Sequence, residues 1–242
     1  MPRLKVLILG GTTEGRELAA ACAGRFTTVS SLAGRTGSPI IPAGELRTGG
    51  FGGPGGLADY LRTARINAVV DATHPFASTM TRHAAAATAA VGVPFLVLRR
   101  PGWVEQPGDD WQRVATVGEA AAALKPGRIF LTTGRQEIGA FAGRYDCTFL
   151  ARSVEPPVPP MPLNLEVLID RGPFTVEGEK RLLARVDVLV TKDSGGADAK
   201  LVAARALGVP VIMIDRPAIP AVPTVASVGD AVRWLEAIDL LV

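Results

Sequence analysis

The chain has 242 residues, 48% of them apolar and 20% charged, with a formal net charge of +3. That balance suits one large or two small globular domains and excludes a disordered chain. No apolar run approaches the ~20 residues that cross a bilayer, and no Lys/Arg block or basic-aromatic array marks a nucleic-acid binder, whereas the mild excess of cations suits an anionic ligand.

Met1-Pro2-Arg3-Leu4-Lys5 leads straight into Val6-Leu7-Ile8-Leu9, which reads as a start without a signal peptide. Such a short, continuous apolar run predicts the buried first strand of a parallel sheet. Gly10-Gly11-Thr12-Thr13-Glu14-Gly15 follows, and a helical pattern opens at Arg16. Glycines let the backbone turn sharply. The new helix then offers free N–H groups and a positive dipole end to an anion, most often the pyrophosphate of a dinucleotide. Thr12 stands where G-x-G-x-x-G has its second glycine, and a threonine can bond phosphate through hydroxyl and amide. An ordinary strand-to-helix turn is the alternative.

Thr27–Leu32 predicts a second strand, which ends in Ser30 and Ser31 with Arg35 beyond. No acid lies between Glu17 and Glu45 to take a ribose 2′-hydroxyl. Ser30, Ser31 and Arg35 instead suit a 2′-phosphate, favouring NADP over NAD; a plain surface role for Arg35 is the alternative. The glycine-rich residues 49–56 and the proline-rich residues 156–162 each read as a lid or a surface loop. Residues 68–72 and 94–98 predict strands with a helix over 79–90 between them, the alternation of parallel βαβ units. Asp71-Ala72-Thr73-His74-Pro75-Phe76-Ala77 ends the first of these strands, where a ribose or nicotinamide would pass. His74, biased away from helical geometry by Pro75, either donates a proton or orders the loop. Cys22 and Cys147 read as core thiols of a reducing cytosol, and with only two histidines no metal site is expected.

The second half repeats the first. Gly92-Val93-Pro94-Phe95-Leu96-Val97-Leu98-Arg99-Arg100-Pro101 matches Gly208-Val209-Pro210-Val211-Ile212-Met213-Ile214-Asp215-Arg216-Pro217. Thr116-Val117-Gly118-Glu119-Ala120 matches Ser227-Val228-Gly229-Asp230-Ala231, and each predicts a helix start with a capping box. Arg128 to Gly134 answers the first strand and turn, and residues 186–196 answer residues 69–75. The expected architecture is α/β: two similar doubly wound, Rossmann-like domains with parallel sheets and a ligand cleft between them at the strands' carboxyl ends. Residues 1–98 form the NADP-binding domain, 99–127 a connecting segment, and 128–242 the substrate side. Arg135, Arg152, Lys192, Asp193, Ser194, Gly195 and Arg216 fall in strand-end loops of that second domain, and so many cations suggest a substrate with several carboxylates.

With GGTTEGR at Gly10, DATHPFA at Asp71, LTTGRQE at Leu131 and TKDSGG at Thr191, the chain resembles the precorrin-6A reductase family of cobalamin biosynthesis. The resemblance implies a cytoplasmic enzyme that uses NADPH to deliver hydride to C19 and a proton to C18 of a polycarboxylate macrocycle, precorrin-6A, giving precorrin-6B. It implies that Gly10, Gly11, Thr12, Thr13, Glu14, Gly15 and Arg16, with Ser31 and Arg35, hold the cofactor. Thr73, His74, Pro75 and Phe76 would lie near its nicotinamide. Arg135, Arg152, Lys192, Asp193, Ser194 and Arg216 would face the macrocycle, and His74 or Asp193 could supply the proton. Partners beyond the macrocycle would be transient contacts with neighbouring enzymes of the pathway. A relative in the oxygen-independent route acts on the cobalt-bearing ring; the 2′-phosphate reading favours the cobalt-free one. A non-catalytic NADP sensor and a transferase with a nucleotide-like donor are the rival readings.

Overall fold

The computed structural model describes residues 3–34 and 40–240. Its strands are β1 (Lys5–Leu9), β2 (Thr27–Leu32), β3 (Glu45–Thr48), β4 (Ala68–Asp71), β5 (Phe95–Leu98), β6 (Trp111–Val114), β7 (Gly127–Leu131), β8 (Cys147–Ser153), β9 (Leu165–Ile169), β10 (Val188–Lys192), β11 (Val211–Ile214) and β12 (Thr224–Val225). The helices are α1 (Thr13–Cys22), α2 (Gly53–Thr63), α3 (Ser78–Val91), α4 (Val117–Ala123), α5 (Val176–Leu183), α6 (Ala199–Leu207) and α7 (Val228–Asp239), and Ile138–Phe141 forms a 3-10 turn. These elements sort into two units, Met1–Pro101 with Pro217–Val242, and Gly102–Arg216.

The first unit holds a wholly parallel sheet in the order β12-β5-β4-β1-β2-β3. β1 sits between β2 and β4 and is covered on both faces, which is why its sequence is uninterruptedly apolar. Val6 and Ile8 pack in one core with Leu18 and Cys22 of α1 and Ala231 and Leu235 of α7. Leu7 and Leu9 pack in the other with Leu57 and Leu61 of α2 and Ala84 and Ala87 of α3. All four are at most 2% exposed, and burial of each stabilises the unit by about 1.5–3 kcal/mol. The glycine-rich residues 49–56 are in part the start of α2: Gly52 caps it at φ 77°, and Pro54 stands in its first turn. Phe51 packs on Tyr60, with ring centroids 5.3 Å apart, and tethers that start.

The second unit repeats the plan in the order β6-β11-β10-β7-β8-β9, again parallel. Phe130, Leu150, Leu189 and Met213 pack with Leu183 of α5 and Leu201 of α6. Where α1 stands in the first unit, the second has only the 3-10 turn, whose Ile138 and Phe141 are buried. Both cysteines, Cys22 and Cys147, are buried free thiols, and burial pushes Cys22 up to about 11.

The division differs from a contiguous pair of domains joined by a linker over 99–127. β6 and α4, from that segment, belong to the second unit, and β12 and α7, from the chain's end, belong to the first. The two matching peptides end at Pro101 and Pro217, the two places where the chain passes from one unit to the other. Each capped helix therefore completes the unit opposite to the half that precedes it. Thr116 caps α4 by accepting from the Glu119 amide at 3.1 Å, and Ser227 caps α7 by accepting from the Asp230 amide at 3.1 Å.

Candidate functional site

The turn after β1 is shaped by three glycines with separate duties. Gly11 has φ 119°, a conformation that a side chain rarely adopts. A Cβ on Gly10 would lie 3.2 Å from the Leu32 side chain. A Cβ on Gly15 would lie 3.3 Å from Gly10 Cα, so only glycine lets α1 approach the turn this closely. Thr12 has extended backbone and is the N-cap. Its Oγ1 accepts from the Gly15 amide at 3.1 Å and donates its proton to the Ala72 carbonyl at 2.7 Å. The hydroxyl proton thus goes to Ala72, just past β4, and toward an anion the turn presents backbone amides.

Glu14, in the first turn of α1, accepts two bonds from Arg100 Nη1, at 2.8 and 3.0 Å. Burial pushes its carboxyl up, but the Arg100 hydrogen bonds and charge outweigh that and hold it below the ordinary value. Arg16 donates to the Thr13 hydroxyl at 3.0 Å on the exposed side of the helix.

Beyond the turn, Ser31 and Ser30 part company, since successive strand residues face opposite ways. The Ser31 carbonyl accepts from the Gly10 amide at 3.0 Å, at the rim of the turn. Ser30 is 1% exposed, and its buried hydroxyl has no hydrogen-bond partner among the described residues. Arg35 lies outside the described residues. The sequence reading missed Arg47, which is paired in register with Ser31 across β2 and β3. Its guanidinium donates to Ser31 Oγ at 3.3 Å and to the carbonyls of Gly49 and Gly50 at 2.6 and 2.8 Å. It also lies 3.7 Å over the Phe51 ring. These contacts brace a cation beside a serine.

At the end of β4, Asp71 is 1% exposed. Its Oδ1 accepts from the Thr73 amide at 3.0 Å and the Thr73 hydroxyl at 2.6 Å, which sets the course of the 73–76 loop. A small recess opens there among Asp71, Thr73, His74, Pro75, Thr81 and Arg99. His74 is exposed, and its Nδ1 accepts from the Phe76 amide at 3.3 Å. In the neutral ring that bond puts the proton on Nε2.

In the second unit every cation singled out from the sequence meets a group of the chain. Arg135 pairs with Glu155 at 2.7 Å and Lys192 with Glu137 at 3.0 Å, all four partly exposed. Arg152 differs. It is 8% exposed, bonds Glu179 Oε1 at 2.6 Å and lies 3.6 Å over the Phe174 ring. Its guanidinium is buried within the unit, held by Glu179 and the Phe174 ring. Asp193 is also spoken for. It accepts from the Trp103 amide on Oδ1 at 3.0 Å and from Arg113 on Oδ2 at 3.0 Å, while its carbonyl accepts from Arg216 Nε at 2.7 Å. Both carboxylate oxygens are thus acceptors, Oδ1 from the segment before β6 and Oδ2 from Arg113 on β6 itself. Ser194 donates its amide to the Lys192 carbonyl at 2.7 Å, and Gly195 and Gly196 follow with φ 66° and 78°.

Residues 5–236 match the family described as "Precorrin-6x reductase CbiJ/CobK". The chain is 50% identical over 240 residues to the precorrin-6A reductase of Rhodococcus erythropolis, covering 96% of this chain and 97% of that one. It is 45% identical over 239 residues to the precorrin-6A reductase of Rhodobacter capsulatus, covering 96% and 95%. A solved structure described as "CobK precorrin-6A reductase" matches with a TM-score of 0.92 at 44% identity, over 97% of each chain.

Proposed function

This chain belongs to the precorrin-6x reductase family CbiJ/CobK and is an oxidoreductase of cobalamin biosynthesis; from that premise we propose that it reduces precorrin-6A to precorrin-6B with NADPH. Bound NADPH supplies the hydride, which goes to C19 of the macrocycle while a proton goes to C18. The remaining tasks fall to this chain's own residues.

The observation that carries the choice of cofactor is Arg47, braced beside Ser31 at the rim of the glycine turn. A fixed guanidinium with a serine hydroxyl suits a phosphomonoester such as the 2′-phosphate. The amino-terminal turn of α1, whose close approach to β1 depends on Gly11 and Gly15, suits a pyrophosphate. Thr73, His74, Pro75 and Phe76 border the nicotinamide end and exclude water there. His74 is the better proton donor of the two candidates, because it is exposed and Asp193 has both oxygens engaged. In the second unit, Arg135 and Lys192 take carboxylates of the macrocycle, and Arg152 holds the unit together. Among the described residues no helix is long and apolar enough to cross a membrane; we assign the enzyme to the cytoplasm.

The test is direct. Purified protein is titrated with NADPH, then given precorrin-6A while the nicotinamide absorbance band is followed. Binding with consumption is expected, and faster kcat/KM with the cobalt-free than with the cobalt-bearing ring. Binding without consumption would favour a sensor, and absence of binding a transferase.

A further inference from the structure

The cation–carboxylate pairs at the carboxyl ends of β10, β7 and β8 fall into two kinds. Arg152 and Arg216 sit against Glu179 and Asp193, whose side chains are 1% and 7% exposed. Lys192 and Arg135 sit against Glu137 and Glu155, whose side chains are 39% and 27% exposed. A buried carboxylate cannot leave its cation without being stranded away from water. A partly exposed one can turn outward and be rehydrated while an incoming carboxylate takes its place on the cation, so that neither charge is stranded. Only Lys192 and Arg135 can therefore change partners cheaply.

We propose that Glu137 and Glu155 are resident counterions that the incoming substrate's own carboxylates displace, so that these two acids set the affinity and the preference for polyacids. The inference rests on the reductase reading given above. Lys192 ends β10, Arg135 and Glu137 follow β7, and Glu155 follows β8; these are adjacent strands of one sheet. One molecule with several acid arms can thus meet both cations. A single carboxylate exchanges with one glutamate for almost no net gain, since it replaces like with like. A polyacid exchanges twice within one binding event, and the second exchange benefits from effective concentration. The resident acids thereby discriminate against small monoacids. They also keep Lys192, whose side chain is only 13% exposed, neutralised between turnovers.

The experiment measures the Kd of precorrin-6A by spectroscopic titration without NADPH, in the full-length protein, for E137Q, E155Q and the double variant. Each single change is expected to lower Kd about two- to fivefold, and the double change by about the product of the two. Glu166, paired with Arg128 near the amino ends of the same sheet at 3.3 Å, provides the control. E166Q removes the same charge and is expected to leave Kd where it was. A Kd that is unchanged or raised in E137Q and E155Q would overturn the proposal, as would an equal fall in E166Q, which would mark a general charge effect. Failure of the reductase reading shows separately, as a wild-type protein that consumes no NADPH; a fall in Kd confined to E137Q and E155Q would still support the exchange.

Discussion

Replacing Arg47 by Met tests the cofactor assignment at its most informative point. The substitution keeps an unbranched side chain over the Phe51 ring and removes the guanidinium that now bonds Ser31 Oγ, Gly49 O and Gly50 O at 3.3, 2.6 and 2.8 Å. A hydrogen bond to a charged group contributes ~1.5–3 kcal/mol. Losing that contribution at a 2′-phosphate weakens NADPH roughly 10- to 150-fold. NADH has no phosphate at that position, so its affinity changes little and the preference ratio collapses by nearly the whole factor. The two carbonyls that Arg47 bonds are at or near the surface and are rehydrated once it is gone, so Tm falls by only a few degrees, roughly 1 kcal/mol in a unit of this size. Calorimetric titration of both nucleotides against wild type, R47M and R47K measures the ratio. R47K keeps the charge without the fork and falls between the other two. If both nucleotides weaken equally, or the ratio stays put, Arg47 merely ties down the 49–50 backbone and the argument fails.

Three further outcomes follow from the geometry. R152M strands Glu179 and is expected to destabilise the protein by about 3–5 kcal/mol in urea unfolding, with much of that recovered in R152M/E179M; unaltered stability with a raised KM would return Arg152 to the substrate. H74A is expected to cut kcat about 100-fold or more and to remove one limb of its pH profile, and an unaltered profile would take His74 off the catalytic path. The Glu14 carboxyl is held below its ordinary value, with burial opposing and Arg100 prevailing, so its contribution to stability is present above the unfolded value of about 4.3 and is lost as pH falls through the lower folded value. The Tm gap between wild type and E14Q should accordingly be constant near neutrality and close in acid; a gap that widens in acid would contradict the sign.

Much of the site's backbone was legible in the chain, because it answers to local rules. Gly11 must adopt φ 119° and Gly15 must lack a Cβ for the turn to close. The cap at Ser227 and the strand end at Asp71 are likewise written within a few residues of themselves. Arg47 was not legible. It reaches Ser31 only because β3 pairs with β2, and no neighbouring residue announces that pairing. Nor was the partner of Arg152 legible: Glu179 meets it only when α5 folds against β8.

What the linear order determined by itself was the kind of unit and its number: a continuous apolar strand, a glycine turn and an alanine-rich helix specify parallel α/β layers, and the matched peptides specify two of them. What only the tertiary structure decided was which unit each piece completes and which charges remain exchangeable. β6 and β12 have no sequence mark telling them to join the sheet of the other half, because strand pairing is chosen by long-range fit of backbone edges and buried faces. The standing of a charge, likewise, depends on whether water can reach its partner, and that is settled when the layers close.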